Sequence, residues 1–218
     1  MNPERKFHSI IISITTAIIF ATWLLLIEII KSNPFLSVIL GGLISIGIYR
    51  SLVLLFLTFF RNIRWFKKII LGPYFMEGTW AGYFIGNKNQ IRFFVETFEQ
   101  NLSKLVIRGK SYKEDNGFHG SWIAETTNID ILLGKLSYKY QTDAIDNTFI
   151  NPGIAEFVFE RSSSHKPPII LIGFSSDLYN PKKLIAIEEK ISNKTMYDFD
   201  AALDNAKKVY ERNKNRIK

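Results

Sequence analysis

Two long apolar runs open the chain. Short segments of alternating hydrophobic and polar residues follow, and then one stretch in which apolar residues recur every three to four positions. Ser9 to Ile30 carries a single charge, Glu28, and Phe35 to Phe60 a single charge, Arg50. Each run exceeds the roughly 20 residues that cross a hydrocarbon core as a helix. The first is also longer than the apolar stretch of about 7 to 15 residues in a cleavable signal, and a second run follows at once. The connector Lys31-Ser32-Asn33-Pro34 permits only a tight helical hairpin with both ends on one side. Arg5 and Lys6 precede it, Arg61, Arg64, Lys67 and Lys68 follow it, and Lys31 alone sits in the turn. The positive-inside rule then predicts a two-span membrane protein with cytoplasmic N- and C-termini.

Beyond this basic segment the period drops to two. Eight strands are predicted: 77–86, 90–98, 102–112, 118–127, 132–141, 154–162, 169–176 and 183–190. Most links are short and rich in Gly, Asn, Asp or Pro, as at Glu114-Asp115-Asn116-Gly117, so neighbours run antiparallel. Leu132, Leu136, Tyr138 and Tyr140 fall on one face opposite Lys135, Ser137, Lys139 and Gln141. Eight up-and-down strands in a domain of this size predict an antiparallel β-barrel able to hold one small ligand, with a split sandwich as the alternative. Trp80 is assigned to closing one end. The long connection Thr142 to Gly153 is either a lid or an ordinary surface loop. From Thr195 to about Asn213 the pattern turns helical, with Thr195 and Asp198 as a capping pair and Phe199, Leu203, Ala206 and Tyr210 as an apolar stripe. The chain thus divides into a transmembrane hairpin with its basic segment (1–68), an all-β domain (69–194) and an amphipathic C-terminal helix with a basic tail (195–218), which either touches anionic lipid or is solvated.

Composition sharpens this picture. Hydrophobic residues make up 47% of the chain and charged residues only 22%, as expected for a membrane component. The 28 Lys and Arg outnumber the 20 Asp and Glu, but the surplus is confined to the ends. The stretch from Ile69 to Asp204 is slightly acidic, which argues against a DNA or RNA polymer as partner. With no cysteine, disulfides and thiolate chemistry are excluded.

Catalytic chemistry finds no foothold. His8, His119 and His165 have no metal-ligand spacing, no nucleophile, metal-hydrolase or phosphate-loop motif occurs, and Glu188-Glu189 and Glu156 with Glu160 read as ordinary strand carboxylates. Neither an enzyme nor a cofactor is expected. The aromatic and guanidinium groups of the strands do suit a binding pocket: Tyr83, Trp122, Tyr138, Tyr140 and Phe157 to stack bases, and Arg92, Arg108 and Arg161 to hold phosphates. In the second span Ser37, Gly41 and Ser45 form a small-residue stripe, which packs either within the hairpin or between protomers. Arg50 lies about 18 Å deeper than Glu28 at about 1.5 Å of rise per residue, too far for pairing. A mid-bilayer Arg faces either another subunit or a water-filled path, or is tolerated by local thinning.

A basic N-terminus, a hairpin, a short basic linker and then the strand Gly78-Thr79-Trp80-Ala81-Gly82-Tyr83 opening an eight-stranded domain form a layout that resembles the two-transmembrane, β-strand-rich effectors of CBASS anti-phage defence, the CD-NTase-associated protein 15 family. The resemblance covers the architecture of essentially the whole chain, and its local Gly-x-Trp motif is shared with lipocalin-like barrels. It implies a cytosolic barrel that senses a cyclic dinucleotide made by a partner nucleotidyltransferase, then self-association and disruption of the inner membrane, and cell death. The alternative from a different functional class is a membrane-tethered, lipocalin-like carrier of a lipid or other apolar molecule.

Overall fold

The computed structural model describes residues 2–25, 27–86, 89–144, 151–179, 181–195 and 198–216, and the chain divides into two compact units, Met1–Leu71 and Gly72–Lys218. The connection Thr142 to Gly153, read as either a lid or a surface loop, falls largely on 145–150, outside the described residues, as does the Glu28 side chain.

The first unit is helical: α1 (Pro3–Leu25), α2 (Ile27–Ser32), α3 (Pro34–Asn62) and α4 (Arg64–Leu71). The helices α1 and α3 are long and apolar enough to cross a membrane. Their hydroxyl groups answer the demand for internal hydrogen bonds by bonding back one turn: Ser13 donates to the Ser9 carbonyl, Thr22 to Ile18, Ser45 to Gly41 and Thr58 to Leu54. Gly41 lies against the Trp23 ring of α1, at 3.3 Å for an added Cβ, so the middle of the small-residue stripe serves packing inside the hairpin. Arg50 is exposed on α3, and no hydrogen bond or ion pair to it is found among the described residues. At the basic end, Phe7, Phe56, Phe59 and Phe66 pack edge to face, and the Lys6 ammonium donates to the Ile69 carbonyl at 2.6 Å.

The second unit is a closed, up-and-down antiparallel barrel of β1 (Gly78–Ile85), β2 (Ile91–Gln100), β3 (Leu105–Tyr112), β4 (Phe118–Asp130), β5 (Lys135–Ala144), β6 (Asn151–Glu160), β7 (Ile170–Asp177) and β8 (Leu184–Ser192), with β8 pairing back onto β1. All eight expected strands are present within a few residues of their predicted ends. Leu132 is a correction: it sits almost fully exposed in the turn before β5, and the inward series begins at Leu136. Trp80 does fill the end where β1 starts, stacked on Phe98 at 5.2 Å with its indole N–H on the Met76 carbonyl.

The helix α5 (Phe199–Asn213) starts four residues later than expected. Its cap is Asp198, whose carboxylate accepts the Ala201 N–H, in place of the Thr195 start. Ala202, Leu203, Ala206 and Val209 bury against Ala81, Tyr83, Phe93, Val95 and Ile187 on the outer face of β1, β2 and β8. Its C-terminal end is pinned electrostatically: Arg212 and Asn213 bond Glu189, and Arg216 bonds Glu160. These two cations of the basic tail are therefore engaged with the barrel. Asp198→Ala removes the cap and is expected to destabilise the chain by about 1 kcal/mol, read as a lower denaturation midpoint of detergent-solubilised protein.

A candidate ligand pocket inside the barrel

Alternation and closure sort every strand residue to the inside or the outside. The end of the barrel at the start of β1 is filled by large apolar groups: Trp80, Phe98, Ile107, Leu136, Phe157, Phe159 and Leu171. Toward the other end the inward positions shrink, with Gly82, Ser111, Gly120, Gly153, Gly173, Ser175 and Ala186 in phase with that core. The interior is thus plugged on one side, while the other combines these short side chains with the rings of Phe84 and Phe94.

Between the two halves lie two carboxyl groups: Glu96, which the sequence reading does not single out, and Glu188, which it sets aside as an ordinary strand carboxylate. Glu96 faces inward between Phe94 and Phe98, and Glu188 faces inward beyond Ala186; they are 1% and 0% exposed. Trp122 donates its indole N–H to Glu96 Oε1 at 2.7 Å, and the Tyr138 hydroxyl donates to the same oxygen at 3.1 Å. Glu96 Oε2 and both oxygens of Glu188 are buried without a hydrogen bond of good geometry. Glu188 nevertheless lies close enough to Glu96 for the two to interact. Burial raises both carboxyls; the contacts with Glu188, Trp122 and Tyr138 hold Glu96 back, whereas the Glu96 charge pushes Glu188 further up. Two carboxylates this buried do not both ionise, so the folded barrel keeps a proton between them. The adjacent Glu188 and Glu189 straddle the wall, one inside and one outside bonded to α5.

The anticipated site residues divide. Trp122, Tyr138, Tyr140 and Phe157 share the interior: Tyr138 stacks on Phe157 at 6.1 Å and meets Tyr140 edge-on at 6.2 Å, and Trp122 meets Phe94 at 5.9 Å. Glycine makes room for two of these rings. A Cβ on Gly109 would lie 2.2 Å from the Trp122 ring and one on Gly153 2.3 Å from the Tyr140 ring, so each ring lies flat over the backbone of its neighbouring strand. The Tyr140 hydroxyl donates to Asp177 at 3.0 Å, placing another polar pair on the inner wall.

Tyr83 points the other way, beneath α5, with its ring 4.9 Å from that of Tyr210 and its hydroxyl pushed up to about 12, chiefly by burial. The three arginines do not converge. Arg92 is in inward phase at the rim of the short-residue end, bonded to the Gln90 side chain and the Ile91 carbonyl. Arg161 follows β6 at the opposite end and donates to the Ile131 carbonyl. Arg108 is on the outer face, 2.6 Å from Glu99, because the inward phase of β3 belongs to Leu105 and Ile107. There it borders a separate cavity of about 370 Å³ with Lys110, Ser121, Gln141, Asp143 and Phe199. Among the described residues no His, Cys, Asp and Glu cluster could hold a metal.

The signal for Glu96 and Glu188 was present in the alternation. Each is an ionisable residue at an inward position beside apolar ones, Glu96 between Phe94 and Phe98 and Glu188 next to Ala186. Because their values are raised in the fold, the stability they contribute is complete below the ordinary carboxylate range and is lost as pH climbs through the folded values. The melting temperature of the full chain is therefore expected to fall as pH rises above the ordinary carboxylate range, and Glu188→Gln, a neutral isostere, to flatten that slope. Thermal unfolding followed by tryptophan fluorescence reads both; an unchanged slope would mean that Glu188 is already ionised in the fold.

Searches of protein-family models, curated proteins and solved structures return no match to this chain.

Proposed function

We propose that this protein is a membrane-anchored ligand sensor: a cytosolic barrel that binds a cyclic dinucleotide and thereby drives its apolar hairpin to self-associate and disrupt the bacterial inner membrane, as the resemblance to CBASS effectors implies. One observation carries the ligand half of this reading. The barrel interior holds a carboxyl pair in which one shared proton still leaves acceptor oxygens without good donors, bordered by Trp122, Tyr138 and Tyr140. Such a lining suits a flat, donor-bearing ligand that can stack on rings and donate to oxygens. It is costly for a hydrocarbon guest, which would leave those acceptors unsatisfied. Arg92, at the rim of the same half, is the guanidinium we assign to a phosphate.

The membrane half rests on the two apolar helices and on exposed Arg50. A ligand acts on an assembly only through different affinities for its states, so the hairpin must have at least two arrangements. Arg50 is assigned to the assembled one, where another protomer or a water-filled path receives its charge.

Two measurements test this reading. Calorimetry of the detergent-solubilised full chain is expected to give heat with at least one cyclic dinucleotide and none with a long-chain fatty acid; the reverse pattern supports the carrier. In cells, Arg50→Leu is expected to leave binding intact and abolish ligand-dependent growth arrest, and full arrest in that variant would remove Arg50 from the mechanism.

A further inference from the structure

The end of the barrel where β1 starts is also where β2, β4, β6 and β8 finish, because neighbouring strands alternate in direction. Its connections are 101–104, 131–134, 161–169 and the segment that follows Ser192. The β4–β5 turn at this end is braced: Asp130 accepts the Leu133 N–H at 2.9 Å, Arg161 donates to the Ile131 carbonyl at 3.0 Å, and Gly134 takes a φ of +66° that favours glycine. The bracing holds two leucines outward, Leu132 at 97% exposed and Leu133 at 69%. Lys104, Lys166 and Lys194, one on each of the other three connections, are exposed at the same end. Beside Glu77, the carboxylates there are already engaged: Asp130 with the turn, Glu99 with Arg108 and Glu160 with Arg216.

Covalent connection decides which end of the barrel reaches a bilayer. The helix α4 follows the second apolar helix at once, carries Arg64, Lys67 and Lys68, and exposes Trp65 and Ile69. Cations with an aromatic and an aliphatic group are the composition of a helix at a membrane surface. Met76, five residues after the end of α4, is already buried in the barrel core. Five residues span at most about 18 Å. The opposite end exposes Leu178 and Tyr179, but the chain does not enter the barrel there.

Resting on the membrane half of the reading above, we infer that this end of the barrel docks onto the anionic lipid surface of the bilayer its hairpin crosses. Leu132 and Leu133 insert among the headgroups, and Lys104, Lys166 and Lys194 meet lipid phosphates. An aliphatic pair ringed by cations suits that occupant, because the leucines leave water while the ammonium groups stay hydrated beside anionic lipid. The plugged end then faces lipid, and the end that carries Arg92 faces away from it.

The chain has no cysteine, so one introduced thiol reports one position. Ser163→Cys, on the β6–β7 connection at the docking end, and Lys182→Cys, on the β7–β8 connection at the opposite end, are each labelled with a polarity-sensitive fluorophore. The full chain is reconstituted in vesicles of phosphatidylglycerol and phosphatidylcholine that contain lipids with a nitroxide on the headgroup. The label at 163 is expected to be quenched and the label at 182 to emit as it does in water. Leu132→Asp with Leu133→Asp, two changes at exposed positions, is expected to abolish the quenching at 163, and vesicles of phosphatidylcholine alone to weaken it. Equal emission from both labels, or quenching at 163 that the aspartate pair leaves unchanged, overturns the docking and leaves the membrane reading standing. A blue-shifted, unquenched label at 163 that follows the protein-to-lipid ratio assigns the leucines to a second copy of the chain and overturns the lipid assignment. Release of the unaltered chain from the vesicles by alkaline carbonate overturns the membrane reading, and this inference with it.

Discussion

Closure is the constraint on which the soluble unit depends. Once β8 pairs with β1 the sheet has no edge, and every side chain is committed to one of two environments with no intermediate choice. One environment is the interior, where large apolar groups pack at one end. The other must be wetted or covered, and α5 covers the stretch over β1, β2 and β8, where the outward residues are apolar. The same commitment brings Glu96 and Glu188 near each other: each occupies an inward position on a strand flanking β1, Glu96 opposite Trp80 and Glu188 opposite Gly82, without any local sequence signal linking them.

That geometry explains what could be read from the chain and what could not. Strand positions were legible because turn residues punctuate alternating runs, and the hairpin was legible because an apolar run of that length has few other uses. Orientation was harder wherever both faces of a strand are buried. In β1 the inward residues meet the core and the outward residues meet α5, so Ala81, Tyr83, Trp80 and Gly82 are all buried and alternation vanishes. Tyr83 was grouped with the pocket aromatics for that reason. Arg108 erred differently: its phase was readable from Leu105 and Ile107, but which phase faces inward is decided by the neighbouring strands. Asp198 displaced Thr195 as the helix cap because the cap must stand directly before the first helical turn, and that turn begins where α5 first meets the barrel wall. Leu132 failed because the β4–β5 turn lifts it out of the strand pattern that its spacing mimics.

The two classes of charge in this unit also behave differently. Outside, Lys135 with Glu156, Arg108 with Glu99, and Arg212 and Arg216 with Glu189 and Glu160 form exposed or half-exposed pairs. Pairs of that kind contribute little to stability, typically up to about 1 kcal/mol. Their use is positional, and those on Glu189 and Glu160 fix the end of α5 to the wall. Inside, the carboxyl pair opposes folding by desolvation and repays nothing through a cation. Replacing such a pair with well-packed aliphatic groups is the change that usually raises stability.

A barrel of this size can be filled without any charge, as its own plugged end demonstrates with stacked Trp80 and Phe98 and the aliphatic layer beside them. The interior thus contains both solutions a few residues apart: an apolar half needing no partner, and a half whose acceptors lack donors. A stability-driven sequence would extend the first solution through the whole barrel. The second makes physical sense when the missing donors arrive with a ligand, because the desolvation cost borne by the empty barrel is then offset in the occupied one. That difference between empty and occupied states is what a sensor needs, since a bound molecule shifts an assembly only by the free energy separating its states. The carboxyl pair and the apolar hairpin are complementary in this respect. On the sensor reading proposed above, the first makes occupancy energetically distinct, and the second supplies a surface whose assembly that distinction can bias.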